Sequence, residues 1–178
     1  MRESPYPAPA TVSLIGMPGA GKSTAGVLLA KELGLRFTDT DLDIQQQAGM
    51  TLQDILESRG HLPLRALEEQ VLLSVNLEDA VIATGGSVVY SDAIMQRLKN
   101  AGPVVYLRVE LAELERRVAA APPRGIASDL GYGAVYEERC PLYESYADVI
   151  VDCTGTLETV TAQIRQFLNS SGWAGHVR

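Results

Sequence analysis

Three observations predict an α/β fold, a three-layer sandwich with a parallel, five-stranded sheet and helices on both faces. Apolar runs of strand length alternate with helix-length amphipathic stretches along the whole chain. A glycine-rich turn joins the first such run to the first helix. The polar signatures GMPGAGKST, DTD and GGS each fall just after a strand-like run, where ligands bind in parallel α/β sheets.

TVSLI (11–15) reads as a buried strand, and Lys22 to Leu33 as a helix ended by Gly34. LRFTDTD (35–41) is a second strand ending in acidic residues. Short helices follow at 42–47 and 51–58, closed near Gly49 and Gly60. From Leu64 a further helix sets Leu67, Val71 and Val75 on one face. AVIATGG (80–86) is a third strand running into a glycine pair. SDAIMQRLKNAG (91–102) is a helix with Ser91 as its cap and Gly102 as its terminator. PVVYLRV (103–109) is the fourth strand and LAELERRVAA the helix after it. The segment 121–133, with two prolines and three glycines, is too irregular for either state. A helix through EERCPLYESYA, carrying Pro141, leads to strand DVIVDC (148–153). Thr156 to Leu168 closes the domain with Leu157, Val160, Ile164, Phe167 and Leu168 facing inward.

At 178 residues the chain is long enough for one domain with a full core. That domain is expected over 11–168, after a disordered lead-in at 1–10 and before a flexible tail at 169–178, where Trp173 could dock on the surface. A formal net charge of −7 argues against a nucleic-acid partner, which needs a basic face. An anionic substrate therefore requires a local basic pocket. The two cysteines, Cys140 and Cys153, form no metal-ligand pattern and fit a reducing, cytoplasmic setting. No apolar run approaches the ~20 residues of a membrane span, so no membrane partner is expected. The N-terminus has no apolar core of a signal peptide. A monomer is expected.

Gly16-x-x-x-x-Gly21-Lys22-Ser23 is a complete phosphate-loop pattern between a strand and a helix. Its glycines let backbone N–H groups turn inward around phosphate oxygens, and the helix N-terminus adds partial positive charge. Lys22 is expected to be exposed in the empty loop and to reach the β- and γ-phosphates; the Ser23 hydroxyl is expected to ligate Mg²⁺. Asp39 and Asp41 are expected on one strand face beside this loop, since residues i and i+2 of a strand point the same way. One could hold a magnesium-bound water and the other accept a hydroxyl proton. His61 and His176 read as surface residues.

In order along the chain, GMPGAGKST, FTDTD, LRALE (64–68), TGGS (84–87), Arg124 in the irregular loop and RCPLYESYAD (139–148) resemble the shikimate kinase family, over about residues 11 to 168. The resemblance implies a P-loop kinase of the nucleoside-monophosphate-kinase-like group, using ATP and Mg²⁺ on a small carboxylate-bearing alcohol. It puts Gly16, Gly19, Ala20, Gly21, Lys22, Ser23 and Thr24 around the nucleotide, with Arg117 packing on adenine. Asp39, with Ser23, would assist magnesium, and Asp41 would bind substrate hydroxyls and act as base. Arg65 and Arg139 would clamp a carboxylate, with the Gly85 and Gly86 N–H groups nearby and Glu68 behind them. Arg124 would sit on a lid at about 121–133 and meet the transferring phosphoryl group. Three departures fall around the acceptor: Ser87 stands where the family commonly has a third glycine, His61 where it has an acid, and the lid reads PPRGIAS. Shikimate is the leading acceptor, with homoserine and gluconate as alternatives. A nucleotide-dependent binding module is a weaker reading, since the chain has no N-K-x-D or T-K-x-D base-reading stretch.

Overall fold

The structure, a computed structural model, describes residues 11–121 and 130–173. The expected lead-in at 1–10, lid residues 122–129 with Arg124, and the last five residues with His176 lie outside the described residues.

Five strands form one parallel sheet: β1 (Val12–Ile15), β2 (Arg36–Asp39), β3 (Ala80–Ala83), β4 (Val104–Arg108) and β5 (Val149–Asp152), in the order β2-β3-β1-β4-β5. β1 and β3 are buried at every position, so helices cover both faces and the sheet is the middle of three layers. The eight described helices are α1 (Lys22–Leu33), α2 (Thr40–Ala48), α3 (Leu52–Arg59), α4 (His61–Ser74), α5 (Asp92–Ala101), α6 (Leu111–Ala119), α7 (Tyr132–Tyr146) and α8 (Leu157–Ser170). A short 3₁₀ turn, Val88–Tyr90, follows the glycine pair and was not anticipated. α1 packs on β2, β3 and α8, while α7 rests on β4 and α5 on α4.

Local chemistry explains most boundaries. Gly34, in the left-handed region, closes α1 by donating its N–H to Ala30 O. Ser91 caps α5 through its hydroxyl as expected, Thr156 caps α8 in the same way, and Thr51 and Asp54 form a capping box on α3. Val160, Ile164 and Leu168 face the core, Leu157 and Phe167 are half-buried against it, and Trp173 packs there too.

Three expectations need correction. The second strand stops at Asp39 rather than running to residue 41, because the Asp39 side chain accepts the Asp41 N–H and starts α2. α4 begins at His61, with Pro63 tolerated in its first turn, and buries Leu64, Glu68, Val71 and Leu72; Leu67 and Val75 are only half-buried. His61 itself is half-buried. α7 begins at Tyr132, so Tyr132 and Gly133 leave the irregular segment, and the helix runs through Pro141. Ile44, Ile55, Leu64 and Val71 form a small core of their own, separate from the main one, which holds α2, α3 and α4 together as a unit beside the sheet. Among the described residues no helix is long and apolar enough to cross a membrane.

Arg97 on α5 ties that unit to the rest. Its guanidinium donates to the Leu72 carbonyl at 2.5 Å and the Val75 carbonyl at 2.7 Å, satisfying acceptors that the end of α4 leaves open. Arg97→Ala should cost about 2 kcal/mol in urea unfolding, the scale of two charge-assisted bonds in a half-buried setting, and Arg97→Lys should recover less than half of it.

Candidate active site

The loop between β1 and α1 stands at the carboxyl edge of the sheet, and its glycines take conformations that side chains resist: φ is 148° at Gly16, 90° at Gly19 and 91° at Gly21. Gly21 is the N-cap of α1 with no side-chain bond of its own, which leaves the helix N-terminus open to an anion. Lys22 corrects the expectation of an exposed side chain. It is buried, and its ammonium donates to the carbonyls of Gly16 at 2.7 Å and Met17 at 2.9 Å. Burial lowers its pKa from the ordinary 10.5 to about 8, against the pull of Asp41 and Asp39. The cation thus finds partners on the loop's own backbone.

The Ser23 hydroxyl donates to Asp39 Oδ2 at 2.5 Å, so these two oxygens stand together beside the loop. Asp39 Oδ1 accepts the Asp41 N–H at 3.0 Å. This helix cap, not a shared strand face, is what brings the two carboxylates to one place. Thr40 between them is fully buried, its hydroxyl on the Ala83 carbonyl at 3.3 Å, which ties the start of α2 to the end of β3.

The glycine pair after β3 is needed for close approach. A Cβ at Gly85 would lie 1.8 Å from Glu68 Oε1 and 3.1 Å from Asp41 Oδ1; one at Gly86 would lie 2.9 Å from a terminal nitrogen of Arg139. The acid of α4, the acid of α2 and the arginine of α7 thus converge on two residues without side chains. Ser87 donates its hydroxyl to Glu68 Oε2. Burial pushes Glu68 up to about 7; Ser87 opposes that rise, Asp41 adds to it, and Arg139 and Lys22 reduce it. Arg139 is buried, and its Nε donates to the Tyr90 hydroxyl at 3.2 Å. Arg65 sits with its guanidinium carbon 4.0 Å from the centre of the Tyr90 ring.

A cavity of about 750 Å³ joins these groups. Gly19, Gly21, Lys22, Ser23 and Thr24 line one part, and Asp39, Asp41, Glu68, Gly85, Gly86 and Arg139 another. Arg65 is not among the lining residues. Gly16 is buried beneath the loop, and Ala20 lines a neighbouring cavity of about 250 Å³ with Leu107, Cys153 and Val160. Arg117 borders both cavities. Its Nε is held on Glu113 at 2.7 Å, one helical turn earlier, and it reaches toward the Gly19 carbonyl at 3.5 Å. Sequence reasoning missed three tyrosines that brace this site. Tyr90 lies against both arginines, Tyr132 donates to the Pro18 carbonyl, and Tyr143 donates to the Gly86 carbonyl at 2.5 Å. Nothing in their local pattern separates them from ordinary core aromatics.

The buried acid gives a pH signature. Glu68 holds a proton in the folded state up to about pH 7, whereas an unfolded glutamate loses it near 4.5. Its contribution to stability is therefore full below about 4.5 and is lost as pH rises through 7. Denaturation of the ligand-free protein across this window should show a flatter pH dependence in Glu68→Gln than in wild type.

A family model described as shikimate kinase matches residues 18–169. Shikimate kinase 2 of Yersinia pseudotuberculosis serotype O:3 (strain YPIII) is 38% identical over 165 residues, covering 89% of this chain and 95% of that protein. The shikimate kinase of Acinetobacter baumannii, solved in complex with shikimate, has a TM-score of 0.80 and 28% identity over 92% of this chain and 94% of its own. A gluconokinase from Sinorhizobium meliloti 1021 has a TM-score of 0.54 at 16% identity, covering 94% of this chain and 98% of its own; it shares the fold alone. The chain belongs to the shikimate kinase family, and shikimate kinase activity, ATP-dependent phosphoryl transfer to an alcohol group, is the function that this membership carries.

Proposed function

We propose that this chain transfers the γ-phosphate of magnesium-bound ATP to a hydroxyl of shikimate. One observation carries the reading: a phosphate loop with its lysine, the paired acids Asp39 and Asp41, and the buried cation Arg139 all line one cavity. The glycine loop, Ser23 and Thr24 receive the phosphates at the open N-terminus of α1. Lys22 then exchanges the Gly16 and Met17 carbonyls for phosphate oxygens, a stronger partner for its charge. Arg117, beside the smaller apolar cavity, offers its planar face to adenine. Ser23 and Asp39 would hold Mg²⁺. Their adjacent oxygens suit a hard cation bound through few protein ligands, and the ion would neutralise phosphate charge. The expected cytosolic setting rests on the cysteine usage.

Asp41 acts as the base. It takes the proton of the acceptor hydroxyl as that oxygen bonds to the γ-phosphorus and the bond from phosphorus to the bridging oxygen of ADP breaks. Arg139 and Arg65 hold the acceptor carboxylate, and the Gly85 and Gly86 N–H groups add donors. Arg124, on the strength of the family resemblance, meets the charge of the transferring phosphoryl group. A second acceptor, homoserine, is favoured by one observation: the buried acid Glu68 lines the acceptor part of the cavity beside Asp41 and offers a partner for an ammonium group.

Lys22→Ala should remain folded and lose about 10²-fold or more in kcat, since the side chain acts on phosphate charge. A folded variant with wild-type kcat would remove the loop from catalysis. Asp41→Asn keeps the shape of the base without its proton affinity, and kcat should fall by about 10²–10⁴-fold. The acceptor is tested by ADP release with shikimate, homoserine and gluconate in parallel. Turnover with shikimate supports the reading; turnover with homoserine and none with shikimate would reassign the acceptor and leave the kinase chemistry intact.

A further inference from the structure

Arg65 and Arg139 come from different helices, α4 and α7, and carry like charges. One ring lies against both. The Arg65 guanidinium carbon lies 4.0 Å from the centre of Tyr90 and that of Arg139 lies 5.2 Å from it. The Tyr90 hydroxyl accepts from Arg139 Nε at 3.2 Å and donates to Glu138 on α7. Tyr90 itself ends the 3₁₀ turn that follows Gly86 and Ser87, so the ring is fixed to the same short segment as the glycine pair.

We propose that Tyr90 is a positioning residue that sets the separation and orientation of Arg65 and Arg139 toward the acceptor's anionic group. The inference rests on the reading of those arginines as the acceptor clamp. Two guanidiniums repel each other, and long side chains lose entropy when held in one geometry. The negative face of an aromatic ring attracts both cations, and a hydroxyl fixed by Glu138 limits how the ring and Arg139 Nε can turn. The clamp is thereby arranged before the acceptor arrives, which lowers the ordering cost of binding. The segment from Gly85 to Tyr90 presents backbone donors at one end and the arginine-orienting ring at the other, so it sets the acceptor geometry as one unit.

The variants are Tyr90→Leu, which removes ring and hydroxyl, and Tyr90→Phe, which keeps the ring. Initial rates are measured against both substrates, with a thermal melt confirming the fold. Tyr90→Met serves as the ringless variant if the leucine protein does not fold. The expected result for the ringless variant is an acceptor KM about 10-fold higher, a loss of about 1.4 kcal/mol, with kcat and the KM for ATP within about twofold of wild type. Tyr90→Phe should recover most of the loss. An unchanged acceptor KM in the folded ringless variant, or an equal rise in the KM for ATP, would overturn the assignment. Failure of the functional reading shows differently, as wild-type enzyme that releases no ADP with shikimate. The variant comparison is then made on whichever carboxylate-bearing alcohol the wild type does phosphorylate.

Discussion

The register between β1 and β3 sets the level at which the phosphate loop and the glycine pair meet. Val12 pairs with Val81, Ser13 with Ile82 and Leu14 with Ala83, and Thr84 anchors both its N–H and its hydroxyl on the Leu14 carbonyl. The phosphate loop leaves β1 one residue after this lock, and the glycine pair leaves β3 directly after it. On the far side of β3, Asp39 pairs with Ala83, so the start of α2 reaches the same level of the sheet. A slip of one residue at either pairing would turn these carboxyl ends away from one another.

Within that frame the site gathers charges that would be costly to bury singly. The protonation of Lys22 and of Glu68 responds to each other's charge and to those of Asp41 and Arg139, and each of the four side chains is also held by hydrogen bonds or lies against a neighbour without a side chain. Lys22 rests on backbone carbonyls, Glu68 on Ser87, and Arg139 on Tyr90. On the proposed reading, a polyanionic nucleotide would change this balance at the lysine end and an acceptor carboxylate at the arginine end. The acceptor would then meet a cluster in which Glu68 and Arg139 are already held in place by Ser87 and Tyr90.

Ser87 illustrates how a departure from the family pattern is absorbed. A third glycine there would leave one oxygen of Glu68 without the hydroxyl that it now accepts from. The serine anchors a buried acid next to Asp41, so the substitution falls beside the paired acids while the phosphate loop keeps its full pattern.

Much of the protein was legible in its sequence. The alternation of apolar runs and amphipathic stretches determined the parallel sheet and its helices, because burial on both faces forces continuous apolar strands. Gly16, Gly21, Lys22 and Ser23 marked the phosphate-loop pattern between β1 and α1, because their spacing has few other uses. Ser91, Thr156 and Gly34 marked helix ends, since caps act within one turn. The tertiary structure alone decided what depends on distant neighbours. Whether Asp41 ends a strand or begins a helix turned on the Asp39 side chain capping α2. Lys22 is buried because the surrounding fold encloses it and the backbone carbonyls receive it. Tyr90, Tyr132 and Tyr143 brace the site through partners 49, 114 and 57 residues away in the chain, respectively. Local pattern reports which residues favour a helix, a strand or a turn; it carries no information about which side chains meet across the sheet, and that meeting is what makes the site.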